Sequence, residues 1–370
     1  GVDMSIQVPA VRVIGDEFEL YGEMDAYSSL IMTEGYDEPG SFEIKAPISE
    51  KALKMVAPGR YILAGGFCGM IERIRLSSDE TGQAITISGA EAGGILRYRI
   101  CIPPEGQSHW VHTGAPGACM AELINAQAIS PADSARALKI AQGAIERGTG
   151  ETSVQVRYDV LSDKISEIAH SAGLGWKIAP DLDALKWRFT VYAGRDLSVN
   201  QAENSPDMPV IFSPQFDNMA AASYEWAIAD TYNAAIIAGQ GEGAERAVQA
   251  VYTQEGLSGA KLRETFVDAR DLDTDAGLIA RGQNKLKRCA EVNAFEGSAA
   301  QSMADRYGQK WRLGDIVTLR HDEWGVQMDA RIMEVTRSYS EAGAALTITF
   351  GDAPVTLTGR LKRMMDKGNN

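Results

Sequence analysis

Cysteine and histidine are scarce in this chain, with four of each among 370 residues. Cys68, Cys101, Cys119 and Cys289 are too few and too widely spaced for a disulfide framework, and they fit a reducing compartment. No apolar run approaches the ~20 residues that a membrane-spanning helix needs. The opening residues Gly1-Val2-Asp3-Met4 carry no secretory pattern. Positive charge is also in deficit: 36 Lys and Arg stand against 50 Asp and Glu, a net charge of -14. That sign repels phosphate backbones and anionic lipid, so neither nucleic acid nor a membrane is expected as a main partner.

What is present is the composition of an ordinary globular protein, 45% hydrophobic and 23% charged, on a chain long enough for two or three cores. Residues 1–105 read as mostly strand. Ser41-Phe42-Glu43-Ile44-Lys45 alternates polar and apolar side chains, as a half-buried strand must. Residues 49–56 read as a short helix capped by Ser49. Residues 103–150 change character: Pro103-Pro104, Gly106, Gly114, Gly117, Gly148 and Gly150 mark loops, around one helix at 118–128. Residues 151–205 read as an α/β unit. Its helix carries Leu161, Ile165, Ile168 and Ala169 at helical spacing and stops at Gly173. Residues 206–370 return to strand, interrupted by a helix at 276–291.

Two distant stretches share one layout. Residues 71–89 and 332–351 each give an apolar-polar strand, a polar turn with one Gly, an Ala-aliphatic-Thr-Ile strand and a closing Gly. Each reads as a β-hairpin with one buried face. The pair is expected to occupy equivalent places in two similar β-barrels.

No constellation of chemistry-bearing residues passes its own spacing test. Cys101, His109, His112 and Cys119 fail zinc-ligand spacing, because closed structural sites favour Cys pairs two to four residues apart. Asp271-Leu-Asp-Thr-Asp275 opens like a calcium loop, but Ala276 stands where Gly is needed and Gly282 where the bidentate Glu is needed. Gly239-Gln-Gly-Glu-Gly243 lacks the Lys-Ser/Thr of a phosphate-binding loop. His170 beside Ser171, and His321, have no carboxylate partner that sequence can place. With 50 acidic residues, spacing alone selects no glycosidase pair. The expectation is therefore no catalytic residue, no cofactor and no metal.

Three segments carry a resemblance. The first is 27–36, leading through Pro39-Gly40 into Ser41-Phe42-Glu43-Ile44-Lys45. The second is 189–196, followed by 210–213, Phe216-Asp217-Asn218, Tyr232-Asn233, 236–243 and Arg246. The third is Tyr307-Gly308 with Leu313-Gly314-Asp315-Ile316-Val317. In this order they resemble the siphovirus Gp37-like tail protein family, over most of the chain outside 105–150 and the extreme tail. The resemblance implies an α+β fold of two β-barrel-like domains, 1–105 and 206–370. Between them lie a loop-rich, helical insertion (106–150) and an α/β domain (151–205). It implies a structural virion protein, a baseplate hub joining the tail tube to the tip, assembled in the bacterial cytoplasm as a homotrimer. Distal tail proteins and tip or fibre proteins are the implied partners. A tail-associated cell-wall hydrolase is the alternative. A host-carbohydrate module, using Trp110 or Trp324, is another.

Overall fold

The computed structural model describes residues 9–351 except 25, 80, 81, 230, 290, 291 and 305. The opening residues, the tail from 352 and the tip of the first hairpin at Glu80-Thr81 therefore lie outside the described residues. The first β unit opens with two short strands, β1 (Val11–Ile14) and β2 (Leu20–Met24), followed by the antiparallel pair β3 (Ser29–Gly35) and β4 (Ser41–Pro47). The alternation of β4 puts Phe42, Ile44 and Ala46 in the core and Ser41, Glu43 and Lys45 outside. Ser49 then caps α1 (Glu50–Met55), its hydroxyl accepting from the Ala52 N–H at 3.1 Å. Strands β5 (Tyr61–Ala64), β6 (Phe67–Asp79) and β7 (Gly82–Glu91) complete the order β3-β4-β7-β6-β5, with β1 and β2 beyond β5.

The middle of the chain packs against this unit. It runs through β8 (Trp110–Gly114), α2 (Pro116–Ile124) with a π-helical turn to Ile129, β9 (Ile140–Ile145) and β10 (Thr152–Val156). Helix α3 (Leu161–Ala172), β11 (Gly175–Asp181) and β12 (Lys186–Tyr192) follow. Strand β8 pairs with β10, and β12 lies between β11 and β9. The periodic face of α3 joins Leu123 of α2 and Trp176, Phe189 and Val191 in one core that also takes in Tyr61 and Met70 of the first unit. Gly173 ends the helix with φ +66°, the left-handed stop its position requires. The strands β8 and β9 were not legible as such. Both are short, both contain a Gly, and neither alternates apolar with polar residues in sequence.

The second β unit begins with the two-residue strands β13 (Asp196–Leu197) and β14 (Ile211–Phe212), then β15 (Met219–Ala227). A side sheet of β16 (Ala234–Ala238), β17 (Val248–Tyr252) and β18 (Glu264–Asp268) follows, with α4 (Asp275–Arg288) packed on it through Leu278 and Leu286. The chain then returns as β19 (Val292–Ala299), α5 (Gln301–Ala304), β20 (Ile316–His321), β21 (Val326–Ser340) and β22 (Gly343–Phe350). These strands lie in the order β15-β19-β22-β21-β20.

The two orders are the same. Setting aside β16–β18 and α4, which the second unit inserts between its first two strands, each unit runs strand, strand, short helix, then three strands, and each places its fourth strand between its third and fifth. The agreement extends to single residues. In β6/β7, Ile71 opposes Gly89 and a bulge follows before Arg73 meets Ser88. In β21/β22, Ile332 opposes Phe350 and a bulge follows before Glu334 meets Thr349. Gly59 and Gly314 both sit at φ +89° ahead of these hairpins. Gly59 donates to Ile71 O, and Ile71 to Arg60 O; likewise Gly314 donates to Ile332 O, and Ile332 to Asp315 O. The ladders carry the equivalence onward. Phe42-Glu43 of β4 matches Phe295-Glu296 of β19, and Leu30 of β3 matches Ala222 of β15.

The units are joined edge to edge: β3 pairs antiparallel with β21, so both belong to one 14-stranded sheet. No sheet among the described residues closes on itself. The expectation of barrels is corrected to open sheets, since β13 and β14 are only two residues long and no ladder links them to β15.

Candidate functional site

Part of each of the three segments singled out in the sequence comes together at one place, the loop of residues 35–40 between β3 and β4. Gly35 and Gly40 permit its tight path, since a Cβ on either would meet a carbonyl oxygen at 2.0 or 1.9 Å. Tyr36, at its start, is 1% exposed. Its hydroxyl donates to Gly173 O at 3.0 Å and accepts from Gly194 N at 3.2 Å. Its ring packs edge-on to Tyr192 and under the Arg331 guanidinium. A Cβ on Gly314 would strike that ring at 2.2 Å. The Tyr36 N–H donates to Met333 O of β21. One side chain thus touches the first unit, the α/β region and the second unit.

Neighbouring groups reinforce this junction. The Trp176 indole donates to Asp37 O at 2.7 Å, and His170 Nδ1 lies 2.6 Å from Asp37 Oδ2. His170 therefore has a carboxylate partner 133 residues away, which no spacing rule could place. Asp315 is fully buried and accepts from the Arg195 backbone and guanidinium, both at 2.8 Å, and from Arg312 N at 3.0 Å. That pair locks the 194–196 turn to the second unit, and Asp196 runs alongside Ile316. Along the seam, Thr33 and Thr336 share a hydroxyl hydrogen bond at 2.9 Å. Arg337 pairs with Glu34 at 2.9 Å, and Tyr307 donates to the same carboxylate at 3.3 Å.

Two carboxyls here are pushed up to about 7. Glu91 is raised by burial, against the Gly40 N–H it accepts at 3.0 Å, and Glu34 adds to the rise. Glu334 is raised by burial, then by Glu38, Asp37 and Glu296. Glu91 turns its oxygen to backbone N–H groups. Neither residue lines the cavities of about 300 and 240 Å³ found beside Trp187 and beside Tyr307. The geometry is that of a structural junction.

The remaining candidates stay apart. Cys101 and Cys119 are fully buried, and burial pushes the Cys101 thiol up to about 12. Cys119 Sγ faces the carbonyls of Gly114 and Thr152, and His109 is buried beside Ser108. Among the described residues no cluster of three or more His, Cys, Asp or Glu could hold a metal ion. Asp271 is an ion-pair partner of Arg281. Burial pushes its carboxyl up, but the guanidinium prevails and holds it below the usual range. Thr274 caps α4, accepting from Gly277 N at 3.2 Å. Gly239 and the neighbouring Ala238 carbonyl are clasped by Arg246. Trp110 is 9% exposed, whereas Trp324 is 47% exposed and stacks on His321 at 3.7 Å.

None of the curated proteins compared matches the chain. Among solved structures, it is similar to the 43 kDa tail protein of prophage MuSo2 from Shewanella oneidensis (TM-score 0.56, 14% identity, 92% of this chain and 98% of that one). It is similar to the tail protein from Neisseria meningitidis MC58 (TM-score 0.56, 16% identity, 93% and 96%). It is also similar to the prophage tail protein gp18 from Listeria monocytogenes EGD-e (TM-score 0.54, 10% identity, 98% and 100%). The Siphovirus ReqiPepy6 Gp37-like protein family matches over residues 10–352. With the fold of prophage tail proteins and a family match over nearly its whole length, the chain belongs to the Siphovirus ReqiPepy6 Gp37-like family.

Proposed function

We propose that this protein is a structural component of a phage or prophage tail, a baseplate hub that joins the tail tube to the tip. The observation that carries the reading is the duplicated five-strand unit, matched in order, bulge and turn. A chain with two like units needs only three copies to present six, the number a hexameric tube offers. Closed cyclic assembly requires heterologous contacts, and two similar but non-identical units supply two different edges. In this reading residues 1–105 and 206–370 form the ring, while 106–150 and 151–205 are inserted between them and brace the junction at Tyr36. The partners are two further copies, the tail tube and distal tail proteins, and tip or fibre proteins. The role is assembly without catalysis: Glu91 and Glu334, the carboxyls raised to about 7, are built into the junction and line neither cavity.

Immunogold labelling of intact tails tests the location. Label is expected only at the tail end distal to the capsid. Label spread along the tube, or peptidoglycan cleavage by the purified full chain, contradicts the reading.

A further inference from the structure

The seam inside the chain has an unfilled counterpart at its ends. Strand β3 uses one edge for β4 and the other for β21. Its equivalent, β15, pairs among the described residues only with β19 and is the last strand described on its side of the sheet. Likewise β21 gives residues 334–340 to β3, but among the described residues no strand occupies the matching edge of β6, residues 73–79. Among the described residues one chain therefore ends in two free edges, each a copy of one side of its own internal seam. An unpaired edge is a template for another strand.

We propose that the free edge of β6 in one copy pairs antiparallel with the free edge of β15 in the next, in the register of the internal β3–β21 seam. This rests on the ring reading above and names its interface. The ladder equivalences set the register. Thr336 opposite Thr33 becomes Arg75 opposite Glu225, Arg337 opposite Met32 becomes Leu76 opposite Tyr224, and Ser338 opposite Ile31 becomes Ser77 opposite Ser223. The bond from Tyr36 N to Met333 O becomes one from Ile228 N to Glu72 O.

Three features fit this occupant. A base meets an acid at Arg75 and Glu225, where the internal seam has two hydroxyls, and opposite charges across a strand pair favour association. Leu76 is 56% exposed and Ile228 is 54% exposed, and both fall at the contact. Strand β15 contains neither Lys nor Pro, the residues that usually protect an edge.

Directly opposed residues in an antiparallel pair have Cα atoms ~4.5–5.5 Å apart, within disulfide range. The test is oxidation of the full chain carrying Ser77→Cys and Ser223→Cys, with Cys289→Ser to remove the least buried native thiol. The expected product is an interchain ladder that ends at a closed trimer and collapses on reduction. Ser77→Cys with Ala221→Cys, out of register, is expected to link at least tenfold less. Ile31→Cys with Ser338→Cys is the internal control and should close within one chain. A trimer by native mass spectrometry that stays unlinked at 77/223 while the control closes overturns this interface and leaves the ring reading standing. A link within a single chain also overturns it. A chain that is monomeric by mass and unlinked overturns both.

Discussion

The two β units share strand order, a bulge and a turn, yet equivalent positions do different work. Gly59 and Gly314 have the same φ, but a Cβ on Gly59 would meet open space and one on Gly314 the Tyr36 ring. Tyr36, buried at the junction, corresponds through the ladders to Ile228, which is exposed. Arg73, exposed on β6, corresponds to Glu334, hemmed in by Glu38, Asp37 and Glu296. The shared features are those the backbone needs in order to turn and pair. The differing ones sit where a unit meets something else, so the second copy of a unit shows which residues serve the fold and which serve a neighbour.

The largest contrast is expected at the Tyr36/Ile228 pair. Tyr36→Ala removes a buried ring from a three-way junction and should lower stability by about 3–5 kcal/mol, the usual range for emptying an aromatic core site. Ile228→Ala should change the stability of the isolated chain by no more than about 0.5 kcal/mol, as an exposed surface site does. Urea titration of both variants decides; equal losses would mean that the positions are not functionally distinct.

The glycine pair comes next. Gly59→Ala carries only the strain of a left-handed backbone, about 1–2 kcal/mol. Gly314→Ala adds a steric clash with Tyr36 and should lose about 1–3 kcal/mol more. Thermal unfolding of the two variants side by side measures the difference, and its absence would remove Tyr36 from the junction.

A further contrast is a pH dependence that Glu91 of the first unit and Glu334 of the second carry, with Arg73 standing at the place of Glu334. Folded Glu334 and Glu91 titrate near 7, against an ordinary value of 4.5. The folded state therefore holds more protons than the unfolded state between those values. Stability is greatest below 4.5, falls as pH rises through 7, and is flat above it as far as these groups are concerned. Glu334→Gln should flatten part of that slope, whereas Arg73→Gln at the equivalent place should leave it unchanged. Urea midpoints measured across the window are the readout, and an unaltered slope in Glu334→Gln would exclude it as a source.

Much of this architecture is legible in the sequence where local chemistry writes it. The alternation of β4, the Ser49 cap, the face of α3 and its Gly173 stop all appear where their residues require. The echo between 71–89 and 332–351 is the trace of the duplication, because two hairpins with the same bulge keep the same spacing; its closing glycines are not equivalent, since Gly89 matches Phe350. The rest of the repeat is hidden. Leu30 and Ala222, or Ile44 and Gly297, share a place in a ladder and no chemistry, so only pairing register reveals them. The junction is hidden for a related reason. Tyr36, Gly194 and Gly314 are far apart in sequence, and each alone reads as an ordinary loop residue. Their convergence is a property of the β3–β21 pairing, which no local pattern announces.

The account stands most directly on the number of copies around the tail axis. A reconstruction of the assembled tail tip should contain three copies of this chain, their six β units forming one pseudo-six-fold ring. One copy, or six copies in identical surroundings, would contradict it.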